Sequence, residues 1–252
     1  MHKKERIKKE WDESAESWVD FVRGGKDYYR YGLNNPAAFK MIGDVRGQVI
    51  LDLACGEGYN TRILARKGAQ LVGVDFSEKL IEFARQKENE EKLGIAYYVM
   101  DATNLREFMD NHFDLVTCFM ALQDIENYEE AIAEVARVLK NRRRLVFSIP
   151  HPCFETITLK RKRISAAERY FGTVKYPIQW NMERLAKPFR TTSFHRTLTD
   201  YFEVLYRNKL FVSRVVEPKL TKEALQKYPS LRDVLARPQS IVIESIKIGD
   251  TL

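Results

Sequence analysis

Val49-Ile50-Leu51-Asp52-Leu53-Ala54-Cys55-Gly56-Glu57-Gly58-Tyr59 joins an apolar run of buried-strand character to a Gly-x-Gly turn, with an acid just before the bend. Glycines at such a turn let backbone approach a ligand closely, and the first turn of the following helix presents unpaired N–H groups. Helical spacing resumes at Thr61, Ile63, Leu64 and Ala65 and stops at Lys67-Gly68, a cationic last turn followed by a capping glycine. Gln70-Leu71-Val72-Gly73-Val74-Asp75 is a second short apolar run that ends in an acid. Together they read as strand, helix, strand, with a nucleotide-type cofactor at the bend and Asp75 placed to accept ribose hydroxyls.

Two residues bear on which cofactor. A dinucleotide fingerprint, G-x-G-x-x-G, would place a third glycine where this chain has Thr61. Asp52 would repel pyrophosphate oxygens and suits a cofactor that carries an amino group. On these residues the segment Val49–Asp75 resembles the class I S-adenosylmethionine-dependent methyltransferases, with Ala54 in place of the commoner first glycine. Tyr97-Tyr98-Val99-Met100-Asp101-Ala102 extends the likeness as a third strand ending in an acid. The resemblance implies S-adenosylmethionine as cofactor, with Asp101 and Ala102 reading the adenine edge. It also implies a cofactor site formed by Asp52, Ala54, Gly56, Gly58, Asp75, Phe76 and Phe119, to which Tyr28 and Arg30 are added from the N-terminal segment.

Further along, Phe113–Phe119 reads as a fourth strand. A helix with Ile132, Val135, Ala136 and Leu139 on one face follows, and Leu145–Ile149 reads as a fifth strand. Thr197–Asn208 has helical spacing, and Phe211–Val216 and Ile241–Ile246 complete the strands. Strands alternating with helices imply an α/β, doubly wound, Rossmann-like fold. The family likeness makes it a seven-stranded sheet, mostly parallel with the last strand antiparallel and helices on both faces. Before the fifth strand, Lys140-Asn141-Arg142-Arg143-Arg144 is expected as a solvated turn with Asn141 in the left-handed position.

We expect a single domain, 1–252, with two additions to the sheet. Residues 1–46 form a helical cap, in which Trp11, Ala15, Trp18, Val19 and Val22 recur at helical spacing. Residues 151–194 form a basic and aromatic insertion, longer than an ordinary connection, at the edge where a substrate lid belongs. It carries Lys160, Arg161, Lys162, Arg163, Arg169, Lys175, Arg184, Lys187 and Arg190 interleaved with Tyr170, Phe171, Tyr176 and Trp180. The competing reading is a solvated helical cap with an aromatic core of its own.

Composition narrows the class. Net charge is +7, the hydrophobic fraction 44% and mean hydropathy −0.41, as in a globular protein. No apolar run approaches the length of a membrane span, and three cysteines without a C-x-x-C pair argue against a disulfide framework or structural zinc, so a cytoplasmic protein without a metal is expected. The likeness implies methyl transfer to O, N or C of a small molecule, in which the sulfonium methyl is already electrophilic and a base is needed only for a protonated acceptor. His151 and His195 are the candidates for that base. The charge leaves an anionic acceptor or RNA open, and a cofactor-binding protein without transfer activity is a third reading. A monomer or homodimer is expected.

Overall fold

The computed structural model describes residues 3–159, 162–180, 185, 187–229, 232 and 235–249. Lys160, Arg161 and Arg184 of the basic insertion lie outside the described residues. The strands are β1 (Val49–Leu53), β2 (Gln70–Asp75), β3 (Ala96–Val99), β4 (Phe113–Phe119), β5 (Leu139–Pro150), β6 (Thr156–Leu159), β7 (Lys162–Ser165), β8 (Val174–Trp180), β9 (Phe189–His195), β10 (Leu210–Val216) and β11 (Ser240–Lys247). The α-helices are α1 (Lys3–Arg23), α2 (Asn35–Ile42), α3 (Tyr59–Arg66), α4 (Glu78–Glu91), α5 (Tyr128–Val138), α6 (Leu198–Arg207) and α7 (Lys222–Lys227).

Seven of the strands form one sheet in the order β10-β11-β5-β4-β1-β2-β3, in which β11 runs antiparallel to both neighbours. Its two faces follow from the period-2 alternation of side chains. Ile50, Leu115, Val146 and Val242 pack on one face with Met41 and Ile42 of α2, Leu64 of α3 and Ile81 of α4. Leu51, Val116, Phe147 and Ile243 pack on the other with Ile132 and Val135 of α5 and Tyr201 and Leu205 of α6. Each such side chain stabilises the fold by about 1.5–3 kcal/mol through the surface it withdraws from water. Because β1 lies between β2 and β4, the chain reverses its winding beside β1, and the crevice outside the carboxyl ends of these strands is where ligands bind in such sheets.

Three local expectations change. β3 ends at Val99, and Asp101 instead opens a turn closed by the Asn104 N–H on its carbonyl at 2.9 Å. The Lys140–Arg144 segment belongs to β5, and the left-handed residue is Arg142 (φ 58°), not Asn141. The Asn141 side-chain oxygen accepts the N–H groups of Arg142 and Gly249 at 2.9 and 2.6 Å, which ties this corner to the C-terminal strand. Arg144 is not a solvated residue either. Its guanidinium pairs with Glu244 at 2.8 Å and donates to the Ile42 carbonyl at 3.0 Å at the end of α2.

The insertion is built of strands rather than helices. β6 pairs antiparallel with β7, and β8 with β9. Its core is Ile157, Ala166, Val174 and Tyr176, and the alternation Val174-x-Tyr176-x-Ile178 is the pleated-sheet pattern that its basic, aromatic composition conceals. Trp180 and Phe189 reach from β8 and β9 to Trp18, Phe21 and Val22 of α1, so cap and insertion meet over the crevice.

Candidate cofactor and acceptor site

The turn after β1 passes through the left-handed region at Ala54 (φ 53°), Gly56 (φ 59°) and Gly58 (φ 79°). Ala54 and Gly56 line a cavity of about 370 Å³ outside the ends of β1, β2 and β4, whereas Gly58 does not. Gly58 serves packing instead. A Cβ there would sit 2.8 Å from Cζ of Tyr97, whose ring fills the space under the turn.

The strand-end acids converge on the same cavity. Asp52 accepts the Thr61 hydroxyl at 2.6 Å and the Thr117 hydroxyl at 2.8 Å. Thr61, the residue that breaks the dinucleotide pattern, therefore fastens the acid of β1. Asp75 accepts the backbone N–H of Gly56 and of Ser77, both at 2.9 Å. Burial pushes both carboxyls up to about 6, against the pull of these donors. Asp101 accepts the N–H and hydroxyl of Thr103 at 2.8 Å. A carboxylate has about four lone-pair positions. Asp52 and Asp75 thus keep acceptor capacity for a ligand, and such a donor-seeking set fits hydroxyls and an ammonium group. Phe76, Ala102 and Phe119 line the cavity beside them.

Below the turn, Glu57 is buried with Arg62 at 2.9 Å and Arg23 at 2.8 Å, and Arg62 also donates to the Glu57 carbonyl at 2.6 Å. This cluster locks the glycine loop to α3 and to the end of α1.

The cavity is roofed by α1 and β8 through Trp18, Phe21, Ile178 and Trp180, with the Trp18 indole nitrogen 3.9 Å from where a Cβ at Gly56 would sit. Arg30 lines it, paired with Asp27 at 2.9 Å and lying over the rings of Trp18 and Tyr59 at 5.6 and 5.8 Å. Tyr28 does not line it, because its ring stacks on Tyr228 at 4.6 Å; Tyr29 does. The sequence reading missed Gln123 and Asp124, which follow β4. Both line the cavity. Buried Arg196 holds their loop by donating to the carbonyls of Leu122, Ile125 and Glu126 at 3.3, 2.6 and 3.0 Å. The polar pair directly after a buried strand was the available signal.

The two candidate histidines lie outside the cavity lining. His195 is fully buried, with Nδ1 at 2.5 Å from a Glu155 carboxylate oxygen and Nε2 at 2.9 Å from the Tyr170 carbonyl. Both nitrogens face acceptors, so both carry protons and neither has a lone pair to take another. Burial opposes this charge, but Glu155 and the Tyr170 carbonyl outweigh it and raise the imidazole above its ordinary range. His151 is also buried. Its Nδ1 accepts the Cys153 N–H at 3.2 Å, which leaves Nε2 to donate to Glu217 at 2.9 Å. The geometry corrects the general-base reading of both residues to an anchoring one. Among the described residues no three His, Cys, Asp or Glu side chains form a metal cluster, and no helix is long and apolar enough to cross a membrane.

Fold and site together define a Rossmann-like α/β protein with a cofactor crevice at the switch point of its sheet. Residues 51–147 match the family model described as "Methyltransferase domain". The chain is 26% identical to an S-adenosylmethionine-dependent methyltransferase of Mesorhizobium loti, whose structure superposes with a TM-score of 0.67 over 84% of this chain and 96% of that one. An uncharacterized protein of Haemophilus influenzae is 25% identical over 86% of this chain and 87% of its own length. A ubiquinone biosynthesis O-methyltransferase of Coxiella burnetii is 33% identical over 46% of this chain, and the match spans half of that enzyme. Residues 51–147 are thus a methyltransferase domain on the fold of S-adenosylmethionine-dependent methyltransferases, and S-adenosylmethionine is the cofactor that this likeness supports.

Proposed function

We propose that this enzyme transfers a methyl group from S-adenosylmethionine to a small, largely apolar acceptor held beneath α1 and β8. The observation that carries the reading is one continuous cavity that joins the acids Asp52, Asp75 and Asp101 to the aromatic roof of Trp18, Phe21 and Trp180. When bound, the cofactor supplies a methyl carried on a sulfonium. The chain's residues do the rest. Asp75 accepts ribose hydroxyls, Asp101 and Ala102 meet the adenine edge, and Asp52 with the Ala54–Gly56 turn receives the amino-acid end. Cap and insertion exclude water and hold the acceptor in line, a positioning effect that supplies several kcal/mol.

Lining charge argues against RNA or an anionic acceptor. Arg30 is the one Lys or Arg among the described lining residues and is already paired with Asp27, while Asp124 and Glu126 add negative charge to the same lining. The Coxiella relative acts in ubiquinone biosynthesis as an O-methyltransferase, and a hydroxyl on an apolar body is compatible with this cavity. Calorimetry with S-adenosylhomocysteine and NADH tests the cofactor, and labelled-methyl incorporation into extracted metabolites against RNA tests the acceptor. Binding of NADH but not S-adenosylhomocysteine, or label in RNA alone, overturns the reading.

A further inference from the structure

All three tryptophans of the chain, Trp11, Trp18 and Trp180, line the cavity that the glycine turn borders. Trp18 joins them, edge-on to Trp11 at 5.7 Å and to Trp180 at 5.4 Å, and edge-on also to Phe189 of β9 at 6.4 Å. Its indole nitrogen, 3.9 Å from where a Cβ at Gly56 would sit, is the nearest atom from outside the turn. An indole N–H can only donate. The N–H of Trp180 has the Thr191 hydroxyl at 2.8 Å, whereas that of Trp18 has no acceptor among the described residues.

Arg30 brings a cation to the same place. It opens a short π-helical turn, Arg30–Asn34, an irregularity that recurs at functional sites. Its guanidinium lies over the Trp18 ring at 5.6 Å and gives its Nε to Asp27 at 2.9 Å, so the Nη groups have no partner among the described residues. The same charge draws the Asp52 carboxyl downward against burial, so the two groups lie within electrostatic reach of each other. An acid, a guanidinium and an indole donor beside one backbone turn match the zwitterionic head of an α-amino acid.

We propose that the Trp18 N–H and the Arg30 Nη groups hold the carboxylate of the cofactor's amino-acid end while Asp52 holds its ammonium, and that this contact draws the roof closed over the cofactor. The assignment rests on S-adenosylmethionine being the cofactor, as in the reading above. Trp18 links two events. The indole that meets the carboxylate also packs on Trp180 and Phe189, so fixing it fixes the contact between cap and insertion. The acceptor site beneath α1 and β8 is completed only once the cofactor is in place, and water is excluded before the methyl moves.

The test uses the whole chain and three ligands: S-adenosylhomocysteine, S-adenosyl-3-thiopropylamine, which keeps the ammonium and lacks the carboxylate, and 5′-methylthioadenosine, which lacks both. Calorimetry gives their affinities, and hydrogen exchange of α1 and β8 amides gives the state of the roof. S-adenosylhomocysteine should bind about tenfold or more tightly than the thiopropylamine, as a charge-assisted hydrogen bond provides. It alone should slow exchange in α1 and β8. Trp18→Phe keeps an aromatic ring, weakens S-adenosylhomocysteine about three- to tenfold and loses the slowing, and Arg30→Gln weakens it about tenfold. Neither variant should weaken the other two ligands by more than about twofold. The comparison of ligands on the wild type needs no variant to fold. Equal wild-type affinity for S-adenosylhomocysteine and the thiopropylamine, variant losses shared equally by all three ligands, or slowing by every ligand alike overturns the proposal and leaves the cofactor reading standing. If S-adenosylhomocysteine fails to bind the wild type, both fall.

Discussion

The two ends of the cavity treat their acids in opposite ways. At the sheet end, donors from the chain itself hold every acid: Thr61 and Thr117 hold Asp52, the Gly56 and Ser77 amides hold Asp75, and Thr103 holds Asp101. On the loop after β4, Gln123 and Asp124 are instead held through backbone carbonyls by Arg196, and burial pushes the Asp124 carboxyl up to about 7 against the Ser193 hydroxyl and the Arg196 guanidinium. The first arrangement fixes carboxylates before any ligand arrives and leaves only their remaining lone pairs for it. The second fixes a loop by its backbone, through a side chain more than seventy positions away, and leaves its acid in a desolvated wall.

The sheet end should break hardest. Glu57→Ala leaves Arg62 as a buried charge without its partner, and removing one member of such a pair costs about 3–5 kcal/mol. Denaturant unfolding should show that loss. Arg62→Met with Glu57→Gln, which removes both charges, should restore much of it. A loss no larger than that of an exposed pair such as Lys79–Glu82 would show that the loop is not braced this way.

Smaller, but specific to the cofactor, is Asp75→Asn. It keeps the shape and removes the charge that strengthens hydrogen bonds from ribose hydroxyls, so S-adenosylhomocysteine affinity should fall about 10–100-fold. The wild type should show the same dependence in its pH profile. Asp52 and Asp75 have raised carboxyls in the folded chain, at about 6 against the ordinary 3.8. The folded state without ligand holds more protons than the unfolded chain between these values, so its stability falls as pH rises through that window, by roughly 3 kcal/mol for each group. Binding that uses the ionised carboxylates runs the other way. Affinity should rise from pH 5 to about pH 7 and then level off, and Asp75→Asn should retain only the part due to Asp52. A flat profile in the wild type would detach these acids from the cofactor.

The same contrast separates what sequence could convey from what it could not. The sheet end depends on neighbours in sequence: an apolar run, then Asp52, then the bend at Ala54–Gly58, then Asp75 nineteen positions from Gly56, repeated at Asp101. Strand bounds for β2 and β4 were legible for that reason, as was the antiparallel β11 through the family likeness. The roofed end depends on contacts across the chain. Asp124 becomes an exposed-looking acid in a buried wall only because Arg196 and Ser193, far along the sequence, close its loop. Gly58 read as a cofactor residue because Gly-x-Gly is a local pattern, while the ring of Tyr97 beneath it is not local. Histidines drew attention by type, yet their roles are set by Glu155, Tyr170 and Glu217, which no spacing relates to them.

The smallest expected effect tests the roof itself. Charged His195 joins β9 to Glu155 and to the loop at Tyr170, and its folded-state affinity for a proton exceeds that of the unfolded chain. Its contribution is therefore complete below about pH 6.5 and is lost as pH rises through the raised value of the folded imidazole. Hydrogen exchange of β8 and β9 amides should quicken relative to β1 and β4 across that range, with intrinsic exchange rates divided out. His195→Gln should flatten the difference, leaving S-adenosylhomocysteine affinity in place, because the imidazole lies outside the cavity lining. If the difference persisted in the variant, another group would set the pH response of β8 and β9, and the imidazolium would not be what ties them to Glu155 and Tyr170.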